Sequence, residues 1–286
     1  MDPSRHLDLG LTALAPAIWG STYLVTTELL PQGYPLTAAL LRALPAGIVL
    51  LALTRTLPSG IWIARSLILG ALNFSLFWWL LFVAAYRLPG GVAATVGAIQ
   101  PLLVLLLCRL LLDQTTTRLA VLAGCGGILG VALVVLTGEL SLDAVGTLAA
   151  LAGAVSMAFG TVLTRKWHPP VSALTFTSWQ LLGGGLLLLP IALWLEPPLP
   201  SLSMAHMAGF AYLGLFGGAI TYFLWFRGIS RLNPSTVTPL GLLSPVSAVC
   251  LGWLLLEQNL HAVQIAGIVL VLISVWLGQR SQRKPA

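Results

Sequence analysis

A chain of 286 residues that is 58% hydrophobic and only 8% charged cannot clothe a soluble surface, where about 25% charge is usual. Its net charge of +6 is spread thinly between apolar runs. No basic patch or aromatic–basic interleaving forms, so nucleic acid is excluded as a partner and a lipid bilayer is expected instead.

A helix crosses the roughly 30 Å hydrocarbon core with about 20 apolar residues. Ten such spans follow one another, at 9–28, 35–54, 66–86, 91–112, 118–137, 144–164, 172–194, 205–226, 235–256 and 262–279. Turn residues and charges separate them, as at Pro31-Gln32-Gly33, Pro58-Ser59-Gly60, His168-Pro169-Pro170 and Glu196-Pro197-Pro198. The first run reads as a membrane helix rather than a cleaved signal, because further spans follow and no small-residue cleavage site stands out. With the amino terminus inside, twelve of the fourteen basic residues fall in inside segments. The exceptions are Arg87 and Arg42, the latter within the second span. This asymmetry predicts two cytoplasmic termini. Cys108, Cys125 and Cys250 lie in apolar runs without CxxC spacing and read as small buried hydrophobes.

Along the spans, side chains at helical spacing mark candidate pocket faces. Span 1 aligns Pro16, Trp19, Tyr23 and Thr27. Span 3 aligns Gly70, Asn73, Phe77 and Leu80, with Trp78 beside them. Span 4 offers the small face Ala93, Gly97, Gln100 and Val104, followed by Pro101. Span 6 aligns Gly153, Ser156, Gly160 and Thr164. Span 8 carries Gly214, Gly217, Thr221 and Trp225, with Tyr222 adjacent, and span 9 carries Val237, Gly241, Ser244 and Ala248, with Pro245. The small faces fit either close helix packing or open volume. The candidate cavity residues are therefore Trp19, Tyr23, Asn73, Phe77, Trp78, Gln100, Ser156, Thr221, Tyr222 and Ser244. Trp62, Trp167 and Trp194, near loops, read as interfacial anchors. Proline removes a backbone hydrogen bond, so Pro101 and Pro245 are candidate hinges.

The two halves are one pattern used twice. Ala13–Ala17 lies on Ala150–Ala154. Leu36, Thr37 and Gly47 lie on Leu174, Thr175 and Gly185. Gly70, Arg87 and Leu88 lie on Gly214, Arg231 and Leu232. Gly97, Pro101 and Leu110–Gln114 lie on Gly241, Pro245 and Leu254–Gln258. Repeats are expected at 1–138 and 144–286. Five spans per half is an odd number, so the second half enters the membrane upside down, as in secondary transporters. The predicted fold is all-α and polytopic, with ten transmembrane helices in two inverted five-helix repeats around a central cavity.

This order of features resembles the drug/metabolite transporter superfamily, EamA type. The resemblance rests on Gly97 and Pro101 leading to Asp113, on Gly241 and Pro245 leading to Glu257, and on Arg42 in the second span where the seventh carries Gln180. Among members the chain is most similar to the bacterial YddG-type amino-acid exporters. The resemblance implies a cavity lined by spans 1, 3, 4, 6, 8 and 9, and amino acids or related metabolites as exported substrates. An intramembrane arginine is a functional candidate by default. Because span 2 is peripheral in the family fold, the favoured reading of Arg42 is structural: snorkelling to the outer interface or pairing with a helix end.

Neither a phosphate loop nor GxSxG, HExxH or a His/Cys cluster is present, so no ATPase motor, enzyme chemistry, cofactor or metal is expected. The expected partner is a small-molecule substrate moved by secondary transport. A drug or cationic-compound exporter, a channel and a membrane-embedded enzyme are the alternatives.

Overall fold

The computed structural model describes residues 3–113, 117–136, 143–167, 169–232, 240–258 and 260–280. Among these residues the chain is all-helical and forms ten rods. These are α1 (Pro3–Gly20, continued by Thr22–Leu29), α2 (Pro35–Thr54), α3 (Ile61–Gly70, Ala71–Leu76 and Phe77–Ala85), α4 (Gly90–Gly97 and Gln100–Leu112) and α5 (Arg118–Leu136), then α6 (Ala144–Trp167), α7 (Ala173–Leu195), α8 (Met204–Ala211, Tyr212–Ile220 and Thr221–Arg231), α9 (Leu243–Leu255) and α10 (Ala262–Arg280). Seven have the length and hydropathy to cross a bilayer, and three shorter apolar helices, within α5, α9 and α10, complete the ten. Gln114, His168 and Val237, named above, lie outside the described residues.

Interruptions fall on particular rods. α1 breaks at Ser21, whose hydroxyl donates to the Ile18 carbonyl at 2.7 Å. Wide π-helical turns occupy Ala71–Leu76 of α3 and Tyr212–Ile220 of α8, at matching places in the two halves. α4 turns at Ala98–Ile99, and the chain turns at Gly241–Leu242 before α9. Pro101 and Pro245 therefore open a helical segment after a turn, where proline is tolerated. They do not kink a continuous rod. At the far ends of α4 and α9, Asp113 and Glu257 adopt left-handed backbone at φ 52° and 50°. The acidic residue that ends each fourth span thus stops the helix.

The packing pairs like with like and then exchanges. α2 runs along α7, and α5 along α10. A methyl group on Gly47 would lie 2.6 Å from Leu182 N, and one on Gly185 would lie 2.8 Å from Leu44 Cα. These two contacts are repeat mates, so glycine is required twice for one reason: the backbones touch. α1 of the first half seats against α8 and α9, while α6 of the second half seats against α3 and α4. Each half lends its first helix to the other. Outward faces carry exposed Leu53, Leu122, Ile128, Leu148 and Leu193, the surface expected when lipid is the solvent.

Candidate functional site

Between α1, α2, α3 and α8 lies a column of rings. Trp19 packs against Tyr222 and Trp225, both with centroids 5.5 Å apart. Tyr222 meets Phe74 at 5.6 Å and Trp78 at 6.4 Å, and Phe74 meets Trp78 edge-on at 5.0 Å. The Trp19 indole N–H donates to Thr221 Oγ1 at 2.9 Å, and the Thr221 hydroxyl donates to the Gly218 carbonyl. At the column's end the Arg42 guanidinium lies 4.5 Å from the centre of the Trp78 ring. A desolvated contact of this kind is worth about 2 kcal/mol.

Arg42 is 3% exposed, so it does not snorkel. Depth along a single helix suggested an interfacial arginine; the azimuth turns it inward. Its Nη2 donates to the Gly217 carbonyl at 3.1 Å. Gly217 lies in the π-helical turn of α8, where widened geometry presents carbonyls to neighbouring side chains. At the equivalent place in the other half, Asn73 Nδ2 donates to Gln180 Oε1 at 2.7 Å, and Asn73 lies in the π-helical turn of α3. Position 42 corresponds to 180, and 73 to 217. The same crossing contact is therefore made twice, once with a charge and once with two amides.

The remaining candidates divide. Tyr23 and Phe77 line a small cavity of about 20 Å³ with Ala93, Gly97, Ala150 and Gly153. That is room for roughly one water. Asn73 is turned towards Gln180 and Gly160, and the Ser156 hydroxyl donates to the Leu72 carbonyl at 2.7 Å. Gln100 and Ser244 are half-buried at the starts of the segments that follow the turns. A larger concavity of about 290 Å³ lies between α2 and α8, but its walls, including Pro45, Val49 and Leu215, are apolar. Val49 and Leu215 are also outwardly exposed, so this is a surface groove and not the site. Trp194 projects outward at 85% exposure, and Trp62 and Trp167 flank the Arg65 guanidinium at 4.9 and 5.3 Å.

Ion pairs at two opposite faces tie the halves together. At the amino-terminal face, Asp8 at the start of α1 meets Arg227 at 2.6 Å and Arg231 at 3.6 Å, both at the end of α8. At the other face, Arg87 just beyond α3 meets Asp143, before α6, at 3.0 Å. Arg87 and Arg231 are repeat-equivalent. Glu196 adds a further tie at this second face, accepting from the N–H groups of Leu36 and Thr37 and from the Thr37 hydroxyl. Its carboxylate satisfies donors at the start of α2 that would otherwise be orphaned. Asp8, Arg227, Phe74 and Gln180 were missed from the sequence as site residues. Repetition of Arg87 at Arg231 was the signal available for the ion pairs.

The EamA-like transporter family model matches this chain twice, over residues 9–136 and 144–278. The chain belongs to the EamA-like transporter family. It is a multi-pass membrane transporter rather than an enzyme. It is 45% identical to the protein PecM of Dickeya dadantii over 259 residues, covering 90% of this chain and 87% of PecM. It is 31% identical to the uncharacterized inner membrane transporter YedA of Escherichia coli, covering 92% and 88%. A probable amino-acid metabolite efflux pump of Salmonella typhimurium is 26% identical, covering 93% of each. A crystal structure with 20% identity superposes with a TM-score of 0.68, covering 95% of this chain and 98% of the other, and supports the fold.

Proposed function

We propose that this transporter exports amino acids or related small metabolites across a bacterial inner membrane by alternating access, with both termini cytoplasmic. The observation that carries the reading is the pair of ties at opposite faces, Asp8 with Arg227 and Arg231, and Arg87 with Asp143, in which Arg87 and Arg231 are repeat-equivalent. Inverted halves have two near-equivalent packings, and a tie at each face is what such a pair of packings would make and break in turn. A cavity of about 20 Å³ is too small for an amino acid, so loading requires the helices to move. The orientation follows from the basic asymmetry of the loops, and the substrate class from the YddG-type resemblance and the Salmonella relative. Among the described residues Arg42 is the one buried charged side chain, and no carboxylate is buried to receive a cationic drug.

The test is flux into liposomes carrying the purified protein, with a panel of labelled amino acids. Saturable movement of unmodified substrate is expected. Flux that never saturates would indicate a channel, and a chemically altered substrate an enzyme; either result defeats the reading.

A further inference from the structure

The two crossing contacts form an internal control. In one half, neutral Gln180 joins α7 to the π-helical turn of α3: its Oε1 accepts from Asn73, and its Nε2 points to the Phe176 carbonyl at 3.5 Å. An amide suffices to hold that crossing. In the other half the same task falls to Arg42, with five N–H donors and a full charge. One donor atom, Nη2, is used on Gly217, while Nε and Nη1 have no hydrogen-bond partner among the described residues. The ion pairs among those residues do not include Arg42. Burying a cation this way is expensive, and the contact with Trp78 offsets only part of the cost. The charge exceeds what packing needs.

We infer that Arg42 is the receptor for a carboxylate on the transported molecule, and that the ring column of Trp78, Phe74, Tyr222 and Trp19 clasps its apolar body. Nη2 carries two N–H groups, so the one not spent on Gly217 still completes an edge with Nε or with Nη1, and such an edge takes a carboxylate with two parallel hydrogen bonds. The rings beside it suit an aromatic or large aliphatic substituent. The ligand class is thus an acid with an apolar side chain, which includes neutral amino acids in their zwitterionic form. That this ligand is the cargo rests on the proposed transport role; that Arg42 binds a carboxylate does not.

The probe pair is 3-phenylpropionate and its neutral amide, which differ only in the group offered to Arg42. Equilibrium binding is measured on the full chain in lipid nanodiscs. The unaltered protein should bind the acid at least about tenfold tighter than the amide, as expected for charge-assisted hydrogen bonds. Arg42→Gln, which installs the residue already used at position 180, should bring that ratio to about one. Arg42→Lys should keep the acid preferred. Gel filtration of each variant reports that it is folded. An unaltered protein that binds neither probe or does not discriminate, or an Arg42→Gln variant that still prefers the acid, overturns the inference. Arg42-dependent discrimination without any flux in liposomes would leave the site standing and remove the transport reading. Flux without discrimination would do the reverse.

Discussion

The two faces of the molecule solve the same problem with different strength. At the amino-terminal face one carboxylate, Asp8, holds two arginines, and the Asp8–Arg227 pair has side-chain exposures of 13% and 22%. At the other face a single pair, Arg87 with Asp143, is 46% and 37% exposed. Ion pairs in water are worth about 0.2–1 kcal/mol, whereas removing one partner of a buried pair costs about 3–5 kcal/mol. Repetition supplied the arginine at both faces, but burial decides what each tie contributes. The proposed cycle should therefore be uneven, with opening at the amino-terminal face the harder step.

The largest effect is expected from Asp8→Asn. Partial burial places the loss at about 2 kcal/mol, between the exposed and buried limits, or a shift of about 30-fold. Reporter cysteines at the repeat-equivalent positions Thr12→Cys and Ala149→Cys, both buried, read opening at the two faces once Cys108, Cys125 and Cys250 are replaced. Asp8→Asn should raise the reactivity of the first reporter by that factor and leave the second alone. Equal changes at both would mean that the ties do not gate separate faces.

A smaller effect should come from close packing beneath the tie. A methyl group on Gly228 would collide with Thr12, whereas the equivalent position on the other half is already Ala84, buried in the same apolar cluster as Ala149. Gly228→Ala overfills a packed contact, a penalty of about 1–3 kcal/mol. It should increase Thr12→Cys reactivity by roughly tenfold. The reciprocal Ala84→Gly removes one methyl, about 0.8 kcal/mol, and should move Ala149→Cys by only a few-fold. A larger response to Ala84→Gly than to Gly228→Ala would reverse the ranking of the faces.

Much of this architecture was legible in the chain because lipid leaves few choices. Span length, loop charge and repeated Gly97/Gly241 and Pro101/Pro245 marked ten helices in two halves. The family match over 9–136 and 144–278 and the ten rods agree with that fold. The site was less legible. Helical spacing groups Trp19 with Tyr23, but only tertiary packing sends Trp19 to Thr221 and Tyr23 to the small cavity. Asn73 and Ser156 read as pocket polar groups, yet their hydrogen bonds go to Gln180 and the Leu72 carbonyl across helix contacts. Arg42 could be placed in depth but not in direction. π-helical turns have no composition signal of their own, so the carbonyl that receives Arg42 could not be foreseen.

The two prolines occupy matching turns in the two halves. Because Pro101 and Pro245 open a segment after a turn, alanine there permits at most one further backbone hydrogen bond, worth about 0.5–1.5 kcal/mol. Transport should slow by about fivefold while binding persists, since a biased two-state equilibrium penalises the cycle more than either end state. The inverted halves require opposite bias, with Pro101→Ala and Pro245→Ala each favouring a different reporter. The same reporter responding to both would show that the turns shape the interior without acting as hinges.

The smallest effect belongs to Arg87 and Asp143, and it separates a screened tie from a buried one. Asp143 Oδ1 accepts from the Gly146 N–H at 2.7 Å while its Oδ2 faces Arg87, so the carboxylate caps α6 as well as pairing. Asn is as good a cap as Asp, and Asp143→Asn therefore removes the charge while keeping the helix start. Reactivity of Ala149→Cys should rise by no more than about fivefold. Raising salt from about 0.05 to 0.5 M shortens the screening length to a few ångströms and should erase the difference between Asp143→Asn and the unaltered protein. The same change should leave most of the Asp8→Asn effect in place. The Gly146 N–H, and after it the Arg87 guanidinium, hold the Asp143 carboxyl below its usual value. A carboxyl lowered in the folded state contributes above the ordinary value of about 3.9 and is lost only as pH falls through the lowered one. The Asp143→Asn effect should consequently be constant from pH 8 to pH 5. If it fades within that window, or survives high salt as well as the Asp8→Asn effect does, the two faces are not ranked by burial.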